Sequence, residues 1–171
     1  MNRAARPAPH SRDGPRRLAA FGLASVPGSE RVALAQVADS VAGLNLPPGQ
    51  LNKLKTAVAE ATMNAIEHGN SNRSELEVDI EVLRTDAEII VTVTDHGAGT
   101  DEGWPDGGGE DPDVPDLDRK LSGEQGPRGW GLFLIRNMVD RLDVTTDGER
   151  RTVRLTMRTP PAGAGPGKGN S

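Results

Sequence analysis

Hydrophobic residues recur along this chain with two different periods, and the switches between them divide it into elements. Residues 18–26 read as a first strand, after which Pro27-Gly28-Ser29 offers a turn and an N-cap for a helix over 30–42, apolar at Val32, Leu34, Val37 and Val41. The pattern breaks over 44–49. Leu51, Leu54, Val58, Ala61 and Ala65 then return at three- and four-residue intervals, as a buried stripe does, and predict a longer helix over 48–68 that Gly69-Asn70 ends. Over 75–83 the period falls to two, with Leu76, Val78, Ile80 and Val82 set against Glu75, Glu77, Asp79 and Glu81, which is a strand buried on one face and wet on the other. Asp86 marks a turn. The next strand, 88–94, is nearly continuous in Ile89, Ile90, Val91 and Val93, as suits a central position, and it stops at Asp95.

Periodicity vanishes over 100–128, a stretch rich in glycine, proline and acid with at most a short helical turn around 117–121; so long a gap inside a domain is usually functional. Leu132, Leu134, Ile135, Met138, Val139 and Leu142 describe an amphipathic helix. Strands at 143–146 and 151–158 follow, joined by Asp147-Gly148, with Val153, Leu155 and Met157 facing in. The outward residues of the last strand, Thr152, Arg154, Thr156 and Arg158, are basic where those of 75–83 are acidic, which suggests that the two strands lie near one another across the wet side of a sheet. The order strand, helix, helix, strand, strand, gap, helix, strand, strand implies an α+β fold. It is a two-layer α/β sandwich, with helices on one face of a mixed, mainly antiparallel sheet.

Composition narrows the function classes. A length of 171 residues suits one domain, here 18–158, between linker-like tails at 1–17 and 159–171 that are expected to carry little structure. There is no cysteine, hence no disulfide framework and no thiolate metal site. No run approaches the ~18 apolar residues of a membrane span, and no apolar stretch follows the basic N-terminal residues, so a soluble, cytoplasmic protein with no membrane contact is expected. A net charge of −5 offers no broad basic field, which argues against direct nucleic-acid binding. The charge is uneven, with Arg3, Arg6, Arg12, Arg16 and Arg17 in a basic tail and an acidic stretch at 101–118.

Three short stretches carry candidate chemistry. Glu60 and Asn64 lie one helical turn apart on the long helix, away from Leu51, Leu54 and Val58, and Glu67 and His68 continue that face. Such a face is either plain wet surface or a site: an asparagine oxygen is a hard neutral ligand suited to a Mg²⁺ that keeps most of its waters, and a nearby carboxylate can orient or deprotonate an attacking hydroxyl. His68 alone reads first as a helix-end residue. Asp95 ends its strand in Asp95-His96-Gly97-Ala98-Gly99. A buried carboxylate there needs a donor, which the exocyclic amine of adenine supplies, and the glycines permit positive φ and the approach of a flat ring; the plain alternative is an ordinary turn. Gly126-Pro127-Arg128-Gly129-Trp130-Gly131 precedes the third helix, whose free amides either cradle phosphates beside the charge of Arg128 or form a glycine hinge. No Gly-Lys-Ser/Thr phosphate loop occurs, and the glycine turn lacks the context of a dinucleotide fold.

In this order the three stretches resemble the N, G1 and G2 boxes of the GHKL ATPase superfamily, most closely its anti-sigma-factor serine/threonine kinases. The resemblance covers about 18–158 and makes 100–128 the ATP lid, long and acidic for the family. It implies a Bergerat-type fold with an ATP and Mg²⁺ site. In that site Glu60 is the general base, Asn64 the Mg²⁺ ligand, Asp95 the adenine reader, and Gly97 and Gly99 the loop beneath the base. Arg128, Gly129 and Gly131 are the phosphate-binding end of the lid, and His68 and Leu132 belong to the same nucleotide site. Histidine kinases of the superfamily typically carry asparagine where this chain has Glu60, and need a phosphoacceptor histidine on an upstream hairpin. The resemblance thus implies a kinase that phosphorylates a serine or threonine of a STAS-type anti-anti-sigma partner and sequesters a sigma factor, in relatives commonly as a homodimer. A nucleotide-gated binding switch without phosphate transfer and a plain ATPase module are the alternatives.

Overall fold

Alternating inward residues from three separate stretches meet in one sheet. The computed structural model describes residues 14–97 and 130–159. Strands β1 (Arg16–Ala24), β2 (Glu77–Arg84), β3 (Glu88–Asp95), β4 (Arg141–Asp147) and β5 (Arg150–Arg158) lie in the spatial order β1-β2-β3-β5-β4. Each neighbouring pair is antiparallel, and β3 takes the central place that its apolar run requires. Helices α1 (Ser29–Val41), α2 (Pro48–Asn64) and α3 (Trp130–Met138) pack on one face, α2 against both of the others. The expected two-layer α+β sandwich is therefore the observed fold. Its sheet is wholly antiparallel in the described pairings.

The core lies between the helices and the inward rows Val78–Ile80–Val82, Ile89–Val91–Val93 and Val153–Leu155–Met157, all nearly inaccessible to solvent. From the α2 end it receives Leu54, Val58, Ala61 and Ala65 of the predicted stripe, with Ala57 in addition and Leu51 only partly buried, and from α3 Leu132 and Ile135. Each buried Val, Leu or Ile contributes about 1.5–3 kcal/mol, more than helix propensity supplies over a turn, so tertiary packing holds α2 in place.

Several local expectations are corrected. β1 begins two residues earlier than the pattern suggests and carries a register shift between Arg17 and Ala19, which turns both Leu18 and Ala19 toward the core. Ser29 is not the N-cap of α1. Gly28 holds that position at φ 98°, its N–H donates to Glu30 Oε2 at 2.9 Å, and the Ser29 hydroxyl donates back to Ala24 O at 2.7 Å. The buried face of α1 is Ala33, Val37 and Val41, while Val32 is 46% exposed. Leu142 belongs to β4, because the Asp140 N–H already donates to Thr156 O at 2.9 Å and ties the chain to the sheet. The acidic β2 and basic β5 are not neighbours, since β3 runs between them. Glu81 instead pairs with Arg17 of β1 at 2.7 Å, and Arg154 stands opposite Asp143 of β4. The predicted helical turn at 117–121 and most of the predicted lid and tails lie outside the described residues. No described helix is long and apolar enough to cross a membrane.

Candidate functional site

The end of α2 builds the site. After Asn64 the helix widens into a π turn, Ala65–Gly69, closed by the Asn70 N–H donating to Ala65 O at 2.8 Å. Glu60 and Asn64, both half-buried, project one turn apart just before this widening, and the start of α3 lies against them. A Cβ placed on Gly131 would stand 2.9 Å from Asn64 Nδ2, 3.2 Å from Asn64 Oδ1 and 3.4 Å from Glu60 Oε2. A side chain there would displace the ends of Asn64 and Glu60. Leu132, 7% exposed, anchors that turn in the core. Glu67 and His68 fall on the exposed side of the π turn.

One turn beyond, the backbone of the π turn meets Asp95. A Cβ on Gly69 would overlap the Asp95 carboxyl, and one on Gly97 would overlap the carbonyl oxygen of Gly69. Gly97 is thus a residue of close approach. Among the described glycines positive φ occurs at Gly28 and Gly148, so the expected positive φ at Gly97 is not what it supplies. Asp95 is 2% exposed, and its Oδ1 is buried without a hydrogen-bond partner among the described residues. Burial pushes its carboxyl from 3.8 up to about 6, against the opposing pull of the Arg151 guanidinium, the Gly97 N–H and His96. An acceptor left unpaired in the core is costly unless a ligand donor meets it, and the exocyclic amine of a purine fits that demand.

Three features of the site are not marked by the sequence: Asn70, the surroundings of His96, and Arg151. Asn70 is fully buried: its Nδ2 donates to Ser25 Oγ at 2.8 Å and to Glu77 O at 2.9 Å, and its Oδ1 accepts from the His96 N–H at 2.8 Å. It thereby fastens the π turn to the ends of β1, β2 and β3. On the opposite side of the sheet, His96 Nε2 lies 2.6 Å from Asp79 Oδ2, and Arg150 Nε lies 3.3 Å from its Nδ1. Arg151 was also passed over, although the inward parity of Val153, Leu155 and Met157 extends back to it. Gly99, Arg128 and Gly129 lie outside the described residues. Among the described residues no cluster of three His, Asp or Glu side chains forms a metal site.

Comparison with known proteins gives the family. Residues 23–157 match the family model described as histidine kinase-like ATPase domain. The chain is 31% identical to the anti-sigma F factor of Oceanobacillus iheyensis over 138 residues, covering 77% of this chain and 85% of that protein. It is 30% identical to the anti-sigma F factor of Bacillus subtilis over 129 residues, 75% of this chain and 83% of that one. A crystal structure of the RsbU and RsbW domains of a Mycobacterium tuberculosis protein superposes with a TM-score of 0.56 at 17% identity, over 84% of this chain and 34% of that chain, a likeness of fold. The chain belongs to the histidine kinase-like ATPase domain family of the GHKL superfamily, in the group of the anti-sigma factor kinases.

Proposed function

We propose that this protein is a cytoplasmic, ATP-dependent serine/threonine kinase acting as an anti-sigma regulator, which phosphorylates a STAS-type anti-anti-sigma partner and sequesters a sigma factor. The observation that supports it is the Glu60–Asn64 pair, half-buried against Gly131 on the same helix end whose Gly69 packs on the Asp95 carboxyl, where Oδ1 has no partner among the described residues. A base reader and a carboxylate with an amide thus lie along one helix end.

The bound nucleotide with Mg²⁺ supplies the phosphoryl group. Asp95 Oδ1 accepts from the adenine amine, and Gly97 and Gly99 belong to the loop assigned to the base. The Asn64 amide oxygen would ligate Mg²⁺, which would offset phosphate charge, and Gly131, with Arg128 and Gly129 before it in the sequence, would hold phosphate oxygens. His68 and Leu132 complete the walls. Glu60 takes the proton of the partner's serine or threonine hydroxyl as its oxygen bonds to the γ-phosphorus and the bond to the β–γ bridging oxygen breaks, releasing ADP. Positioning and electrostatics carry most of such a transfer, which suits a site with one carboxylate and one amide.

The test is transfer of label from γ-labelled ATP to a purified STAS partner in the presence of Mg²⁺. Wild type is expected to label a serine or threonine, and Glu60→Gln to lower the rate by about 10²–10⁴-fold with little change in Mg·ATP affinity. Undiminished labelling by Glu60→Gln removes the base from that residue. Nucleotide binding with no transfer to the cognate partner would establish the non-catalytic switch instead, and steady phosphate release without an acceptor the ATPase module.

A further inference from the structure

The inward row of β5 reads Arg151, Val153, Leu155, Met157, an arginine leading three core residues. Arg151 is 5% exposed and stands directly opposite Asp95 in the β3–β5 ladder. Direct partners in an antiparallel pair hold their Cβ atoms about 4.5–5.5 Å apart on one face, so a guanidinium and a carboxylate share the same dry end of the core. A buried cation is costly there, and an aliphatic residue would pack in its place. Arginine does not deprotonate, so its charge is permanent.

We propose that Arg151 is a positioning residue of the nucleotide site: its fixed charge, delivered from across the ladder, keeps Asp95 ionised and so keeps it a hydrogen-bond acceptor for the exocyclic amine of the base. The proposal rests on the reading of Asp95 as the base-contacting group. An amine is a donor, and a protonated carboxyl would meet it donor to donor, so this reader has to be ionised when nucleotide arrives. Burial works the other way, and even with Arg151 present the carboxyl is held near 6. Without Arg151, desolvation is opposed by the Gly97 N–H and His96 alone. The folded pKa then rises further, and loss of the acceptor moves up into the neutral range. The other charged groups about Asp95 are accounted for among the described residues. His96, with Asp79 and Arg150 around its ring, faces the opposite side of the sheet, and Glu67 and His68 lie on the exposed side of the turn that presses Gly69 on the carboxyl.

The experiment has two readouts on the full chain. The first is the carbon-13 shift of the Asp95 carboxyl in nucleotide-free protein, assigned by its disappearance in Asp95→Asn, followed from about pH 4 to 9 in wild type, Arg151→Met, Arg151→Gln and Arg151→Lys; the second is calorimetric Mg·ATP affinity over the same range. Both neutral variants are expected to titrate about one pH unit or more higher than wild type. With Asp95 near 6 in wild type, a one-unit rise should lower their affinity about twofold at pH 7 and about tenfold by roughly pH 5, with recovery to wild type by about pH 9. Arg151→Lys is expected to restore the wild-type profile. If Arg151→Met does not fold, Arg151→Gln carries the comparison. An Asp95 titration that does not move, or an affinity loss equal at every pH, overturns the proposal. A shifted carboxyl titration together with Mg·ATP binding unaffected by Asp95→Asn would instead overturn the reading of Asp95 as base reader, while leaving its coupling to Arg151 standing.

Discussion

Two glycines of the site exclude a side chain for different reasons, and substitution separates them. A Cβ at Gly97 meets backbone, the Gly69 carbonyl and the Asn70 Cα, which cannot swing aside. Gly97→Ala is expected to cost about 2–4 kcal/mol, as backbone overpacking does, and to lower the urea midpoint. At Gly131 the atoms met are the ends of Asn64 and Glu60. Gly131→Ala should leave the urea midpoint within about 1 kcal/mol of wild type while pushing Asn64 and Glu60 out of register and weakening Mg·ATP binding about tenfold or more, read by calorimetry. Glu60, Asn64 and Asp95 were legible in the sequence because each is a chemically loaded residue at a marked place, a helix face or a strand end. The reason for Gly97 was not, since close approach of two backbones is invisible to local spacing.

At the scale of elements the site depends on one joint, the π turn that ends α2 and delivers Gly69 to Asp95. Asn70 locks that joint with three side-chain hydrogen bonds to groups from β1, β2 and β3. Asn70→Ala leaves the Glu77 carbonyl and His96 N–H without it and is expected to destabilise by about 2–4 kcal/mol at roughly 1–3 kcal/mol per orphaned buried group. Asn70→Asp retains the acceptor for His96 but sets a carboxylate against a carbonyl, and is expected to be no better. Equilibrium unfolding in urea measures both, and a loss below about 0.5 kcal/mol for Asn70→Ala would remove Asn70 from this role. The helix itself was plain in the sequence from its stripe. Its π ending was not, because one added residue in a turn barely alters a three-to-four periodicity, and the partners of Asn70 come from distant strands.

For the whole molecule, the buried Asp95 carboxyl makes stability depend on pH. Its folded pKa, about 6, lies above the ordinary 3.8, so the folded state holds the proton more tightly than the unfolded chain. Its contribution is therefore present below about 4 and is lost as pH rises through about 6, by roughly 3 kcal/mol at the limit. In nucleotide-free protein the melting temperature is expected to fall more steeply between pH 4 and 7 in wild type than in Asp95→Asn, and Mg·ATP to raise it more at pH 7 than at pH 5. Parallel slopes for the two proteins would contradict this. By itself the sequence determined the element order, the half-wet antiparallel strands, the apolar centre strand and the three boxes, because amphipathic period and chain punctuation are local properties that each segment carries alone. The tertiary structure alone decided that β3 separates acidic β2 from basic β5, that Asn70 joins three strands, and that Arg151 faces Asp95. Those depend on strand order and register, which arise when rows from distant segments are buried together and are written in no single segment.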